Sequence, residues 1–238
     1  MPNCLSRTSA TLVLALVFTP LPACAQQPAP DPVLSAGDKA AGWTLLFDGS
    51  STDAWRGYKA STLPAGWTVV DGAFTRTGAG GDIITRSEYS NFELTLEWKI
   101  ASGGNSGIMY RVTEDNAATY ESGPEMQVLD DARHPEGSSR LTAAGSCYGL
   151  YPSPAGVVKP AGEWNRVRIL VAGSHVEHWL NGVKVVDYTL GNPEWLSKVA
   201  SSKFAQWPGY GKAVRGHIAL QDHGDAVAYR DIRIRELR

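Results

Sequence analysis

Short segments in which apolar and polar residues alternate are the feature that most constrains how this chain can fold. In residues 92–98 every second residue is apolar, and the residues between them are charged or polar. Successive side chains of an extended strand point to opposite faces, so such a segment buries one face and exposes the other. Further along the chain, the same rule predicts that Met126 and Val128 point into a core and that Glu125 and Gln127 point away from it.

Turn signals separate at least ten such segments, and almost no helix interrupts them. Asp71-Gly72 and Asn181-Gly182 each join two alternating segments. These pairs are typical of two-residue hairpin turns, because both central positions need a positive φ. The single predicted helix spans residues 192–204. The pattern predicts an all-β antiparallel sandwich.

The length of 238 residues and the 43% hydrophobic content allow one domain with a sizeable core. We find no internal repeat and no break in composition after residue 40, so we predict a single domain over residues 42–238. A flexible tether over residues 26–41, which begins with Gln, Pro and Ala, is predicted to precede it. The formal net charge of −2 gives no reason to expect nucleic acid as a partner.

Residues 1–25 have the pattern of an export signal peptide. Arg7 supplies the positive charge, residues 12–18 form an apolar run too short to span a bilayer, and Ala23-Cys24-Ala25 supplies small residues at a cleavage point. Two cleavages fit: one after Ala25, and one of the lipoprotein type that leaves Cys24 as the acylated first residue. We therefore expect an exported protein, periplasmic or anchored by lipid to the bacterial outer membrane, with no transmembrane helix after removal of the signal.

The cysteine count agrees with this compartment assignment. Cys4 lies in the predicted signal, and Cys24 is either removed or lipidated. Cys147 is then the one cysteine left in the folded domain, so no internal disulfide can form. No base partner stands near it in the sequence, and we predict a small buried thiol.

Several motifs then occur in an order that resembles one known family. They are Leu46-Phe47-Asp48-Gly49, Glu125-Met126-Gln127-Val128-Leu129-Asp130-Asp131, Ala132-Arg133-His134-Pro135, Lys159-Pro160-Ala161-Gly162-Glu163-Trp164-Asn165, His178-Trp179-Leu180-Asn181-Gly182 and Leu220-Gln221-Asp222-His223-Gly224. Together, over residues 42–236, they resemble the 3-keto-disaccharide hydrolase family, formerly a domain of unknown function.

The resemblance implies a concanavalin A-like jelly roll, in which two curved antiparallel sheets pack together and the concave sheet holds sugar. It also implies cleavage of glycosides whose sugar C3 is oxidised to a ketone, so the expected partner is a small carbohydrate. Two routes stay open. The ketone acidifies the hydrogen at C2, so that a base can remove it and the oxygen at C1 leaves by elimination, followed by hydration. Direct hydrolysis would instead use two carboxylates flanking C1.

Two other functions fit the same fold. A carbohydrate-binding module or lectin would bind sugar without chemistry, and an ordinary endo-glucanase would cleave a sugar that is not oxidised.

Three residues are the candidate catalytic groups. Glu125 is placed on the sugar-binding face as base or metal ligand, and His134 is expected to converge with it from the following loop as general acid or base. His223 ends a strand that also carries Gln221, so both are expected to face the same cleft.

Other polar residues suit the binding of sugar hydroxyls or of enolate charge: Glu97, Lys99, Asn105, Arg111, Gln127, Asp130 and Gln221. None of the characteristic zinc spacings is present. His175 and His178 are expected on opposite sides of one strand, where they could not share an ion. A divalent ion held by oxygen and imidazole ligands, acting as an electrophile for the ketone, is left open.

Aromatic side chains divide into two predicted classes. Trp164 and Trp179 lie in or beside strands and are predicted to belong to the core. Trp55, Trp207 and Tyr210 lie in irregular segments and are predicted to be platforms for sugar rings.

Overall fold

A computed structural model describes residues 33–237 of the chain. The predicted export signal, Cys24 and residues 26–32 of the tether lie outside the described residues. Within the rest of the predicted tether, the side chain of Ser35 caps a short helix, α1 (Ala36–Ala40), so this part has regular structure. None of the helices in the described part of the chain has the length and apolar character needed to cross a membrane.

Strands dominate the described residues, as the alternation predicts. In chain order they are β1 (Trp43–Phe47), β2 (Trp55–Gly57), β3 (Trp67–Val70), β4 (Ala73–Arg76), β5 (Ile83–Thr85), β6 (Phe92–Ile100), β7 (Asn105–Val112), β8 (Glu125–Leu129), β9 (Asn165–Ala172), β10 (His175–Leu180), β11 (Val183–Thr189), β12 (His217–Leu220) and β13 (Val227–Glu236). The other helical elements are α2 (Pro193–Ala200) and three 3-10 turns, Thr119–Glu121, Pro135–Ser138 and Lys203–Gln206.

The strands form two antiparallel sheets. The larger has the order β11-β10-β9-β6-β13-β4-β3, with β1 also paired to β13, and the smaller has the order β2-β5-β12-β7-β8. The prediction of an antiparallel sandwich is therefore confirmed. Because non-consecutive strands such as β6 and β13 pair, the order of strands in space differs from their order in the chain.

The core lies between the two sheets. Phe92, Leu94, Leu96 and Trp98 of β6 are all buried in it. From the smaller sheet, the core receives the inward residues of β8, Met126 and Val128, and of β7, Ile108 and Tyr110. The inward parity predicted for β6 and β8 is confirmed. The predicted burial of Cys147 is confirmed too, and this burial raises the pKa of its thiol to about 12.

Two hairpin turns and one helix match their sequence signals. Asp71-Gly72 joins β3 to β4 and Asn181-Gly182 joins β10 to β11, and all four residues have positive φ. Asn192 accepts a hydrogen bond from the backbone of Trp195 and so caps α2, which lies inside the predicted helical range.

The aromatic predictions need correction. Trp55 and Tyr210 are 1% and 2% exposed and belong to the core, so they offer no platform. Trp164 and Trp179 are only half-buried, and each stacks with an arginine, Arg230 and Arg168 respectively. Local sequence failed here because Trp55 starts the short strand β2, because the irregular segment of Tyr210 packs into the core, and because outer faces of strands carry amphipathic tryptophans.

Candidate functional site

A cavity of about 340 Å³ lies on the outer face of the smaller sheet. Four side chains of the sheet and of its strand ends form its floor: Asn105, Glu125, Gln127 and Gln221. Residues from the loops that cover this face form its walls: Tyr120, Glu136, Tyr148, Lys203, Trp207 and His223. The volume is in the range of pockets that bind small ligands.

The alternation of side chains along each strand determines which residues form the floor of the cavity. Met126 and Val128 anchor β8 in the core, so Glu125 and Gln127 must point to the opposite face. Asn105 starts the neighbouring strand β7, which pairs with β8 in antiparallel register. Gln221 follows β12, and its backbone N–H donates to the carbonyl of Gly107 on β7. Four polar side chains from three adjacent strands therefore meet on one surface.

Glu125 is the most perturbed acid of the cavity. The residue is only 6% exposed, and its carboxyl makes no hydrogen bond to the described residues. Burial raises its pKa to about 8; the charge of Lys203 opposes this shift, and the charges of Asp82 and Glu136 add to it. A carboxyl group that titrates near neutral pH can exchange a proton with a bound ligand.

Glu136 is the second carboxylate of the cavity, and it is tightly held. The hydroxyl of Tyr148 donates to its Oε1 at 2.6 Å, and Gln127 Nε2 donates to its Oε2 at 3.3 Å. Asn105 Nδ2 lies 3.5 Å from the same Oε2. Burial, and secondarily the neighbouring Glu136, raise the pKa of Tyr148 above its usual value, so this phenol stays protonated as a donor. The network fixes two of the three amides of the floor, those of Asn105 and Gln127, by their nitrogen ends.

The oxygen ends of the floor amides have no partner. Asn105 Oδ1, Gln127 Oε1 and Gln221 Oε1 are buried and accept no hydrogen bond from the described residues. Buried polar atoms are nearly always paired in native proteins, so three unpaired acceptors in one cavity indicate a missing donor. A ligand rich in hydroxyl groups would supply such donors.

Lys203 and Trp207 come from the segment that follows α2. The ammonium group of Lys203 lies 4.3 Å from the ring centroid of Tyr148, a cation–π distance. Lys203 is itself exposed at the mouth of the cavity, and Trp207 is half-buried beside Tyr120. Trp207, predicted as a platform, does line the cavity.

His223 lies at the exposed rim of the cavity, next to Asp222 in the loop that follows β12. The carboxylate of Asp222 binds Arg76 and accepts from the backbone of Gly80 and Gly81, each at 2.9 Å. These contacts tie the loop after β12 to the loop before β5. The structure therefore brings together five of the predicted site residues, which are Asn105, Glu125, Gln127, Gln221 and His223.

Glu97 and Lys99 are not in this cavity. They lie on β6, which belongs to the larger sheet, whereas the cavity lies on the smaller one. Glu97 pairs with Arg230 at 2.7 Å, and Lys99 lies over the ring of Trp164 at 4.8 Å. Adjacent alternating segments suggested one shared surface, but β6 and β7 pass into different sheets through their connecting turn.

Arg111 also lies elsewhere, because a bulge changes the parity of β7. Met109 pairs with Ala219 and Val112 with His217, so two residues of β7 oppose one of β12. Arg111, with φ of +54°, takes the strained position of this bulge. Its guanidinium donates to the carbonyls of Ser90 and Gly173 and does not reach the face that carries the cavity.

His134 and Asp130 shape the loop that carries Glu136 and do not line the cavity. Nδ1 of His134 accepts from the backbone of Glu136 at 3.2 Å and caps the 3-10 turn Pro135–Ser138. Asp130 accepts from the backbone of Gly103 at 2.7 Å. The expected convergence of His134 with Glu125 is thus replaced by that of Glu136, because the turn directs the residue two positions later inward.

Four residues of the cavity were not predicted: Tyr120, Glu136, Tyr148 and Lys203. All four come from loops or from short 3-10 turns, where no period tells which side chains point inward. The carboxylate of Glu136, two residues after a His-Pro pair, was the one local signal that could have been noticed.

The cavity contains three groups of a kind that can bind a metal ion. Its candidate ligands are Glu125, Glu136 and His223, and they do not form a close group of three ligand atoms. Among the described residues such a group occurs at His175, Glu177 and Asp187, within 4.8 Å of one another. It lies on β10 and β11 of the larger sheet, and Lys184 already bridges its two carboxylates. His178 is buried while His175 is not, so the expectation that they point to opposite sides is confirmed.

Comparison with known proteins supplies independent evidence. Residues 42–235 match the model of a family described as the 3-keto-alpha-glucoside-1,2-lyase-like domain. A curated 3-keto-disaccharide hydrolase from Bacteroides thetaiotaomicron is 36% identical, and the match covers 83% of this chain and 79% of that protein.

Solved structures agree. The structure of a candidate glycosyl hydrolase from Parabacteroides distasonis has a TM-score of 0.81 and 34% identity, over 88% of this chain and all of the other. A second such protein from the same organism has a TM-score of 0.66 and 31% identity, over 82% of this chain and 99% of the other. A Bacillus subtilis protein with a galectin-like fold, 12% identical with a TM-score of 0.52, covers 82% of this chain and 94% of its own and supports the jelly-roll fold alone.

The motifs singled out in the sequence, the paired antiparallel sheets and the match over residues 42–235 lead to one conclusion: this chain belongs to the 3-keto-alpha-glucoside-1,2-lyase-like family, which includes the 3-keto-disaccharide hydrolases.

Proposed function

We propose that this protein cleaves glycosides whose sugar carries a ketone at C3, by removing the proton at C2. One observation carries the proposal: a carboxyl group with a pKa of about 8 shares a cavity with three unpaired amide oxygens. The oxygens suit the hydroxyl groups of a sugar, and the carboxyl suits a proton transfer near neutral pH. The relative named as a 3-keto-disaccharide hydrolase supports the substrate class.

Glu125 is the proposed base. Its carboxylate takes the proton from C2, and the electrons of that bond form the double bond between C2 and C3 of an enolate, whose negative charge lies on the ketone oxygen. The ketone then forms again, and the electron pair moves to make a double bond between C1 and C2. The bond from C1 to the glycosidic oxygen breaks, and this oxygen leaves with its electron pair and takes up a proton. Water then adds to the double bond to give the free keto-sugar. A raised pKa makes Glu125 a stronger base than an ordinary carboxylate, which suits removal of a weakly acidic carbon-bound proton.

Other groups of the cavity stabilise the negative charge that develops on the substrate and supply a proton to the leaving oxygen. Loss of the proton at C2 places negative charge on the ketone oxygen, and the ammonium group of Lys203 is the cation that lines this cavity. The imidazole of His223, at the rim of this cavity, is the proposed proton donor to the leaving oxygen. In this scheme the glycosidic bond breaks before water adds at C1, so no nucleophile displaces the leaving group directly.

The test uses two chromogenic substrates. 4-Nitrophenyl 3-keto-glucoside and its unoxidised parent, 4-nitrophenyl glucoside, are incubated with the purified protein, and release of nitrophenol is measured. We expect release from the keto compound alone, with a primary isotope effect when C2 carries deuterium. Release from the parent would indicate an ordinary glucanase, and saturable binding without release would indicate a lectin. Release without an isotope effect would favour direct hydrolysis.

We also propose export, with a lipid anchor at Cys24. The support is the sequence of residues 1–25 and the small residues around Cys24. Mass spectrometry of the N-terminal peptide from cells decides the question. An acylated Cys24 supports the anchor, Gln26 as the first residue supports a soluble exported protein, and an intact Met1 contradicts both.

A further inference from the structure

A second cavity, of about 720 Å³, lies beside the sugar-binding cavity. Trp207 borders both, whereas Phe204 and Ala205 border only the larger of the two. The 3-10 turn Lys203–Gln206 therefore separates them, with Lys203 lining the smaller cavity and Phe204 the larger.

Most of the lining of this second cavity is apolar. Trp195, Phe204 and Tyr210 are buried and form a rigid aromatic stack beneath its surface, with ring centroids 6.0 Å apart between Trp195 and Tyr210 and 4.1 Å apart between Phe204 and Tyr210. Leu196 and Val214 line the same cavity and are 53% and 75% exposed. A ligand with an apolar or aromatic body would cover these side chains.

The charged groups of the cavity are all of one sign. Arg111 and Lys212 line it, and none of the lining residues is an aspartate or a glutamate. Within residues 33–237, neither Arg111 nor Lys212 forms a salt bridge. An apolar cavity with two cations and no anion is complementary to an amphipathic anion.

Arg111 is the unusual member of the pair. It is only 6% exposed, and two carbonyl oxygens, of Ser90 and Gly173, accept from a single nitrogen, Nη2. Nε is buried without a partner, and Nη1 makes no hydrogen bond to the described residues. A guanidinium carries five N–H donors and stays charged in proteins. Burying it without a carboxylate is costly, so a counter-ion is expected from outside the chain.

The backbone conformation of Arg111 is also energetically unfavourable. Arg111 has a φ of +54°, a left-handed conformation that residues other than glycine rarely adopt. Gly216 lies against this part of β7. A Cβ atom at position 216 would overlap the backbone of Arg111 and the carbonyl oxygen of Val112, so no side chain fits there. Strain of this kind is concentrated at functional sites, where the surrounding structure maintains it.

We propose that this second cavity binds a small organic carboxylate with an aromatic or aliphatic body. The carboxylate serves as the counter-ion of Arg111, and the body packs against the exposed apolar side chains of Leu196 and Val214. This site is separate from the sugar-binding cavity, and the proposal does not depend on the reaction assigned to that cavity.

Isothermal titration of the purified full chain tests the proposal with three probes: cinnamate, the uncharged cinnamamide and acetate. We expect saturable binding of cinnamate to one site. Because charge-assisted hydrogen bonds and burial of the ring both contribute, cinnamamide and acetate should each bind at least about tenfold more weakly. Equal binding of cinnamate and cinnamamide, equal binding of cinnamate and acetate, or no saturable heat with cinnamate would each overturn the proposal.

Variants locate the site. Arg111→Met should weaken cinnamate binding at least about tenfold, while the matched control Arg166→Met, at an exposed arginine on β9, should leave it unchanged. Arg111 also ties two loops together, so its variant can lose the fold. Ala200→Phe provides the second arm, because Ala200 is exposed at the end of α2 and lines the cavity. It should block binding with Arg111 in place, and unchanged affinity in this variant would contradict the assignment.

Discussion

Gly107 on β7 and Glu125 on β8 are in such close contact that no side chain fits at position 107. A Cβ atom on Gly107 would overlap Oε1 of Glu125, and its next contacts would be with Cδ and Cγ of the same side chain. The glycine therefore leaves space for the carboxyl group on the sheet surface, and backbone φ is not the reason for it, because φ at Gly107 is not positive.

Gly107→Ala should displace the Glu125 carboxyl without removing it. We expect kcat/KM on the keto substrate to fall by on the order of 100-fold, since a shift of about 1 Å in a catalytic group can have this effect. Gly209→Ala is the matched control, because a Cβ there meets nothing within 4 Å. Steady-state kinetics of both variants check this, and equal rates would show that the position of the carboxyl is unimportant.

Glu125→Gln removes the proposed base while keeping the shape of the side chain. We expect a loss of at least about 100-fold in kcat/KM, as is typical for removal of a general base. Glu163→Gln, at an exposed loop position, should behave as the wild type. For the wild type, kcat/KM should rise with pH up to about 8 and then level off. A fall above that pH would assign Glu125 as the acid instead.

The raised pKa of Glu125 also predicts how stability depends on pH. Between its ordinary pKa of 4.5 and its folded value of about 8, the folded protein keeps a proton that the unfolded chain has released. This group therefore makes the free energy of unfolding decrease as pH rises through that window, by up to about 1.4 kcal/mol per pH unit.

Urea denaturation at several pH values measures this effect as a difference between variants. Glu125→Gln lacks the titration, so its stability relative to the wild type should increase from pH 5 to pH 8 and stay constant above that. Glu163→Gln should follow the wild type throughout. Parallel curves for wild type and Glu125→Gln would mean that the carboxyl titrates normally.

Lys203 should influence the same titration from across the cavity. Its charge lowers the pKa of Glu125, so Lys203→Met should move the rising limb of the rate profile to higher pH. The same variant should lower kcat, because the cation also stabilises the enolate oxygen. Lys203→Arg keeps the charge, so the pH at which the rate rises should stay the same. If Lys203→Met leaves both quantities unchanged, Lys203 plays neither part.

Gln221 is predicted to bind substrate through its unpaired oxygen. Gln221→Ala should raise KM by about tenfold, because the loss of one hydrogen bond in a buried site has an effect of about 1.4 kcal/mol. The pH dependence of kcat should be retained, since no titrating group is lost. Gln206→Ala, at an exposed glutamine, is the control. A change in kcat alone would assign Gln221 to the chemical step.

The sequence by itself determined the class of fold and the family. A period of two defines which face of β6 and of β8 is buried, and Asp71-Gly72 and Asn181-Gly182 specify their turns by φ alone, so these predictions needed no distant contact. Parity likewise placed Glu125 and Gln127 on the outer face, where they line the cavity.

Only the tertiary structure decided which other groups join them. β6 and β7 are adjacent in the chain but lie in different sheets, which removes Glu97 and Lys99 from the cavity. A bulge redirects Arg111, and a 3-10 turn makes His134 a cap and Glu136 a lining residue. Lys203 and Tyr148 are 55 residues apart in the sequence, yet both line the cavity. Strand periodicity describes one segment at a time, whereas the pairing of strands and the folding of loops over them depend on packing between segments far apart in sequence.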